Sequence, residues 1–214
     1  MDIIRRIEDL KLIPVAVIEK KENAIPLGKA LLETGLPVVE ITFRTFSAAK
    51  SISLLKKAFP EMLIGAGTVL TIKQVKAAVE AGSHFIVTPG FNPTIVDFCI
   101  EKNITIVPGI NNPSFVEWGL EKGLDFFKFF PAELSGGIKM LNALSGPYPT
   151  ARFMPTGGIN ETNLKDYLKL KNVMACGGSW IVKKDLITSG NFEEIKKLTR
   201  SALSLIKSDL VNIE

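Results

Sequence analysis

The segment Phe126-Phe127-Lys128-Phe129-Phe130-Pro131 sets one lysine among four phenylalanines. In an extended strand alternate side chains fall on opposite faces. Phe126, Lys128 and Phe130 therefore share one face, and Phe127 and Phe129 the other. A lysine turned into an apolar helical layer would be a buried, unpaired ammonium, which is costly. Turned into a pocket of low dielectric, it is favoured as the neutral amine, the form that attacks a carbonyl carbon to make a Schiff base. A snorkelling or ion-paired structural lysine is the other reading of the same pattern.

A second constellation lies in Val38-Val39-Glu40-Ile41-Thr42-Phe43-Arg44. Here Glu40, Thr42 and Arg44 alternate with Val39, Ile41 and Phe43, so the polar set shares one face. If the apolar set meets a covering layer, the polar set points into the interior. A carboxylate there needs a partner or a task. It can form an internal ion pair with Arg44. It can also serve as a general acid/base, leaving Arg44 to clamp a substrate carboxylate.

Thr156-Gly157-Gly158 and Gly177-Gly178-Ser179 form a third group. Glycines let backbone N–H groups approach phosphate oxygens closely, and the two hydroxyls add donors. These donors are uncharged, and no fixed cation is evident beside them. Plain turn glycines would give the same residues without a ligand.

These residues fall at the ends of apolar, β-branched runs: Leu12–Ile18, Val38–Arg44, Leu63–Val69, Phe85–Pro89, Thr105–Gly109, Phe126–Phe130, Arg152–Thr156 and Val173–Gly177. Segments with helical periodicity, such as Ile72–Ala81 and Pro93–Lys102, separate them, and Phe192–Lys207 reads as a closing amphipathic helix. Near-continuous apolar strands alternating with helices predict a parallel sheet covered by helices. Eight such units predict an α/β fold of the (β/α)₈ barrel type, one domain over residues 1–214, with its pocket at the carboxyl ends of the strands.

The chain has 214 residues, 46% hydrophobic and 22% charged, with a formal net charge of +4. Basic pairs such as Lys56-Lys57, Lys183-Lys184 and Lys196-Lys197 are interleaved with acids and read as solvated surface, with a mild bias toward anionic metabolites. No clustered basic stripe predicts a nucleic-acid partner. No apolar run reaches the length of a membrane span, and Leu12–Ile18 lacks the cleavage site of a signal peptide. A cytoplasmic protein is expected. Cys99 and Cys176 are far apart and read as reduced, buried thiols, and His84 is the one histidine. No metal site is expected from this set. His84 precedes the fourth strand, opposite the pocket, and fits a surface or capping role. Trp118 and Trp180 read as packing residues, and Gly65-Ala66-Gly67 is not followed by the rest of a dinucleotide fingerprint.

Five motifs, in order, resemble the bacterial 2-keto-3-deoxy-6-phosphogluconate and 4-hydroxy-2-oxoglutarate aldolase family. They are Glu40-Ile41-Thr42-Phe43-Arg44, Gly65-Ala66-Gly67-Thr68-Val69-Leu70, Phe129-Phe130-Pro131-Ala132-Glu133 after Lys128, Pro155-Thr156-Gly157-Gly158-Ile159 and Gly177-Gly178-Ser179-Trp180. The resemblance runs from about Leu12 to the last helix. It implies a metal-independent class I aldolase that needs no cofactor, usually a homotrimer, acting on a phosphorylated small-molecule keto acid. It implies Lys128 as the Schiff-base lysine and Glu40 as the acid/base. Arg44 and Thr68, with the Pro89 region, would hold the pyruvate carboxylate, and Phe130 would pack by the imine. Thr156, Gly157, Gly158 and Ser179 would receive the phosphate. One position departs from the pattern: many members end strand one with a basic residue, where this chain has Glu19, and Lys20 beside it is the candidate replacement. A sugar-phosphate epimerase and a catalytically silent metabolite-binding barrel are the alternatives on the same scaffold. Neither calls for Lys128, Glu40 and Arg44 together.

Overall fold

The β-branched and aromatic runs become short parallel strands, in a computed structural model that describes residues 2–210. These are β1 (Leu12–Ala16), β2 (Val38–Thr42), β3 (Leu63–Gly67), β4 (Phe85–Val87), β5 (Ile106–Val107), β6 (Gly109–Ile110), β7 (Phe126–Phe129), β8 (Arg152–Pro155) and β9 (Cys176–Gly178). The run expected as one strand over Thr105–Gly109 is divided at Pro108, which has no N–H to give to a ladder. On one side of that break β5 pairs with β4; on the other β6 pairs with β7. The two pieces still act as one stave, because the Lys128 N–H donates to the Pro108 carbonyl at 3.0 Å.

The remaining seam closes through few contacts. Bridges Phe153↔Val173 and Thr156↔Gly177 join β8 to the β9 segment, and β9 pairs with β1 from Leu12↔Cys176 to Pro14↔Gly178. The expected strand Val173–Gly177 is thus a bridge at Val173 followed by Cys176–Gly178. With β5 and β6 counted together, eight staves form a closed ring, the expected (β/α)₈ barrel. In that ring β2 is second and β7 is sixth, so they face each other across the interior.

Helices α1 (Ile3–Leu10), α2 (Ala24–Glu33), α3 (Ala48–Ala58), α4 (Ile72–Glu80), α5 (Pro93–Glu101), α6 (Pro113–Glu121), α7 (Gly137–Ser145), α8 (Leu164–Leu168), α9 (Lys184–Ser189) and α10 (Phe192–Leu210) accompany the strands. Their starts are written in the sequence. Thr71, Asn92 and Asn112 accept from the backbone N–H groups of Gln74, Thr94 and Phe115, and proline opens α5 and α6. Helix α1 precedes the first predicted strand; Asp2 caps it, and Ile7 is its buried contact.

The alternation predicted for β7 holds. Phe127 faces the helices: a Cβ on Gly119 of α6 would lie 2.2 Å from its ring. Val39 and Ile41 are fully buried, as are Glu40 and Thr42 on the opposite face of β2. Cys99 and Cys176 are buried free thiols, and burial pushes the Cys99 thiol up to about 11 and that of Cys176 further. His84 caps a strand, as expected at that end: its Nδ1 accepts from the Ile64 N–H at 3.0 Å. Burial first, then the Lys56 ammonium, hold its imidazole below the usual range. No helix among the described residues is long and apolar enough to cross a membrane.

Candidate active site

Lys128 and Glu40 meet in the middle of the barrel. Lys128 Nζ donates to Glu40 Oε1 at 3.3 Å, with Lys128 4% and Glu40 0% exposed. Only inward-pointing side chains can meet between strands two and six of an eight-stave ring, so this contact fixes the facing of both. The ion-paired reading of the lysine therefore holds, and its partner is Glu40. The partner of Glu40 is Lys128, not Arg44. A buried pair of this kind is weak support for a stabilising role, because desolvating both charges offsets much of their attraction. Glu40 Oε2 is buried and makes no hydrogen bond within the described residues, so an acceptor is left over for a hydroxyl or water.

Room for that carboxylate comes from Gly67. A Cβ there would lie 2.0 Å from Glu40 Oε1. The glycines of Gly65-Ala66-Gly67 thus serve side-chain packing, since Gly65 makes the same allowance for the Phe85 ring. Directly after Gly67, Thr68 has φ 52°, the left-handed region that a β-branched residue rarely adopts. The strain falls where Thr68 Oγ1 receives a hydrogen bond from Arg44 Nε at 3.4 Å. Arg44 lies past the end of β2 and is exposed at the mouth, while Thr42 stays inside and donates to the Ala16 carbonyl at 3.2 Å.

A cavity of about 610 Å³ opens at the carboxyl ends of the strands. Every expected site residue but Glu40 lines it: Lys128, Arg44, Thr68, Pro89, Phe130, Thr156, Gly157, Gly158 and Ser179. Glu40 sits beneath, against Lys128 Nζ. The Phe130 ring centre is 5.3 Å from that nitrogen, a cation–π distance. A larger hollow of about 790 Å³ lies around Asp125, Asn142 and Arg152. It contains neither the lysine nor the carboxylate of the central pair. Its arginine is already bound by Asp125 and Glu8.

The glycine loop after β8 is held by its carbonyls. Ala132 N–H donates to Thr156 O at 2.8 Å and Glu133 N–H to Gly157 O at 3.1 Å. The amides of Asn160 and Asn163 both donate to Gly158 O, at 3.2 and 3.0 Å. Gly157 and Gly158 have φ 97° and 84°, so glycine is required at both. Within the described residues no hydrogen bond engages the N–H groups of Gly157, Gly158 or Ser179, which leaves three backbone donors beside the Ser179 hydroxyl. Glu133 also accepts from the Tyr167 hydroxyl, and burial first and this carboxylate second raise the Tyr167 phenol.

The same cavity is lined by residues that sequence reasoning passed over: Val17, Asn160, Trp180, Lys183 and Lys184. Trp180 packs as expected, with its ring filling the space a Cβ on Gly178 would need, and it also walls the site. Lys183-Lys184 looks like surface charge in the sequence. A 3₁₀ turn over Trp180–Val182 carries it back to the mouth. Lys20, the expected replacement cation, does not line the cavity.

The family of KDPG and KHG aldolases matches residues 3–198. The 2-dehydro-3-deoxy-phosphogluconate aldolase of Haemophilus influenzae is 49% identical over 205 residues, covering 96% of this chain and 97% of that one. The KHG/KDPG aldolase of Escherichia coli K12 is 44% identical, covering 89% and 90%. In three dimensions the chain is similar to KDPG aldolase from Legionella pneumophila, crystallised with pyruvate captured as a covalent carbinolamine intermediate. That likeness has a TM-score of 0.87 and 43% identity over 90% of this chain and 93% of that one. The barrel with an interior lysine and carboxylate below a mouth of open backbone donors defines the class, and the chain belongs to the KDPG and KHG aldolase family.

Proposed function

We propose that this chain cleaves 2-keto-3-deoxy-6-phosphogluconate to pyruvate and glyceraldehyde 3-phosphate, and also 4-hydroxy-2-oxoglutarate to pyruvate and glyoxylate, as a class I aldolase. The observation that carries the reading is the buried contact between Lys128 Nζ and Glu40 Oε1 at the floor of the cavity. The covalent pyruvate adduct in the Legionella relative supports the same chemistry.

A proton passes from Lys128 Nζ to Glu40 across their contact, and the neutral amine attacks the C2 ketone. Glu40 returns that proton to the departing hydroxyl, so the carbinolamine loses water and becomes a protonated imine, an electron sink, and Glu40 is again a carboxylate. Glu40, directly or through a water, takes the C4 hydroxyl proton. The C3–C4 bond breaks, its electrons enter the imine to give an enamine, and the aldehyde leaves. Protonation at C3 and hydrolysis release pyruvate and free Lys128. Arg44 and Thr68 hold the keto-acid carboxylate, with Pro89 and Phe130 as the apolar wall. Thr156, Gly157, Gly158 and Ser179 receive the distal phosphate through hydroxyls and open N–H groups.

The test is pyruvate release from each substrate by protein treated exhaustively with EDTA. Turnover of both is expected at the untreated rate. Turnover that returns only with an added divalent ion contradicts the class I route, and epimerisation without pyruvate favours the sugar-phosphate alternative.

Gly67→Ala provides a test at a residue that does not line the cavity. The added methyl collides with Glu40 Oε1, so the carboxylate must move. Misplacement by about 1 Å can cost on the order of 10²-fold in rate, and kcat should fall by about that much while circular dichroism stays native. A wild-type rate in a folded Gly67→Ala protein would show that the position of Glu40 is not critical.

A cytoplasmic setting is proposed on the two free, buried thiols. We also propose one barrel domain that assembles as a homotrimer. Exposed apolar groups fit burial in an assembly: Phe46 is 110% exposed, and Trp118 stands beside Phe115 with ring centres 5.5 Å apart. Sedimentation at three times the 23.4 kDa chain mass is expected, and a monomer at micromolar concentration would refute the trimer.

A further inference from the structure

We propose that Lys183 and Lys184 form the cationic end of the cavity and read the distal phosphate, a task that Glu19, in the segment after β1, cannot perform. The inference rests on the aldolase reading above and names its specificity residues. Both lysines line the cavity together with Gly157, Gly158 and Ser179, the open donors of the anion end. Lys184 Nζ is held by Glu19 at 2.7 Å, and Lys183 has no ion-pair partner among the described residues. Strands β9 and β1 are neighbours, so the segments after their carboxyl ends come together at one sector of the mouth. A cation can therefore reach the same space from the segment after β9 as from the end of β1.

The charge balance favours this assignment. Glu19 alone would place a negative charge beside a phosphate dianion. The ion pair with Lys184 neutralises Glu19 and fixes an ammonium at the mouth, and Lys183 then adds a full positive charge. The neutral donors of the two loops orient the phosphate oxygens, while the lysines supply the opposite charge. Both side chains are exposed, so the attraction is screened by salt.

The experiment measures kcat and KM for the phosphorylated six-carbon substrate and for 4-hydroxy-2-oxoglutarate, at low and high ionic strength. It compares the wild type, the double variant Lys183→Met/Lys184→Met and the control Lys20→Met. In the double variant, kcat/KM for the phosphorylated substrate should fall by about 10-fold to 100-fold, mainly through KM. The loss should exceed that on the shorter substrate by at least about tenfold, and the rise of KM with salt should flatten. Lys183→Gln/Lys184→Gln repeats the test with polar side chains if the Met variant is poorly soluble. Equal losses on the two substrates, an unaltered salt dependence, or the same loss in Lys20→Met would overturn the assignment. A wild-type protein that cleaves neither substrate would instead sink the aldolase reading itself.

Discussion

Lys128→Ala reduces pyruvate release to background on both substrates. Without the amine no imine forms, and the C3–C4 bond has no electron sink. Among the described residues no second lysine is placed to substitute: Lys183 and Lys184 stand at the mouth, and it is Lys128 that meets Glu40 inside the barrel. The variant also leaves the Glu40 carboxylate buried without its cation. Breaking a buried pair from one side costs about 3–5 kcal/mol, so the melting temperature should drop. Lys128→Ala/Glu40→Gln separates the two effects: most of the stability should return, and activity should not. Substantial cleavage by a folded Lys128→Ala protein would remove the lysine from the chemistry.

Glu40→Gln has the next largest effect. The amide keeps the shape and can still hydrogen-bond, but it cannot take a proton from the C4 hydroxyl. General acid–base catalysis contributes about 10²–10⁴-fold, and kcat should fall within that range. The imine with pyruvate should still form, more slowly, because Lys128 also loses its proton acceptor. Single-turnover measurements that separate imine formation from bond cleavage check both parts. Near-normal kcat in Glu40→Gln would leave Glu40 only the structural role of partner to Lys128.

Much of this was legible in the residues. Period-2 alternation placed Glu40 and Lys128 inside, because the alternate residues Val39, Ile41, Phe127 and Phe129 had to meet the helices. Glycines and hydroxyls at strand ends marked the mouth. What pattern could not give was the pairing across the barrel. Glu40 and Lys128 are 88 residues apart, and only ring closure shows that their staves are opposed. Sequence proximity suggested Arg44 for Glu40, yet β2 ends at Thr42 and Arg44 turns out to Thr68. The division of a stave at Pro108 was visible as a proline, but how the ladder changes partner there depends on both neighbours. Lys183-Lys184 has the look of surface because charge runs usually are; its return to the mouth follows from a short 3₁₀ turn with no strong signature.

The central claim is that Lys128 forms the covalent bond to substrate. It is tested most directly by incubating the protein with pyruvate, reducing with borohydride and mapping the modified peptide by mass spectrometry. The account predicts one stoichiometric N-(1-carboxyethyl) adduct on Lys128, in the peptide containing Phe126-Phe127-Lys128-Phe129-Phe130, absent when pyruvate is left out. An adduct on another lysine, or none under conditions where the protein turns over substrate, would contradict it.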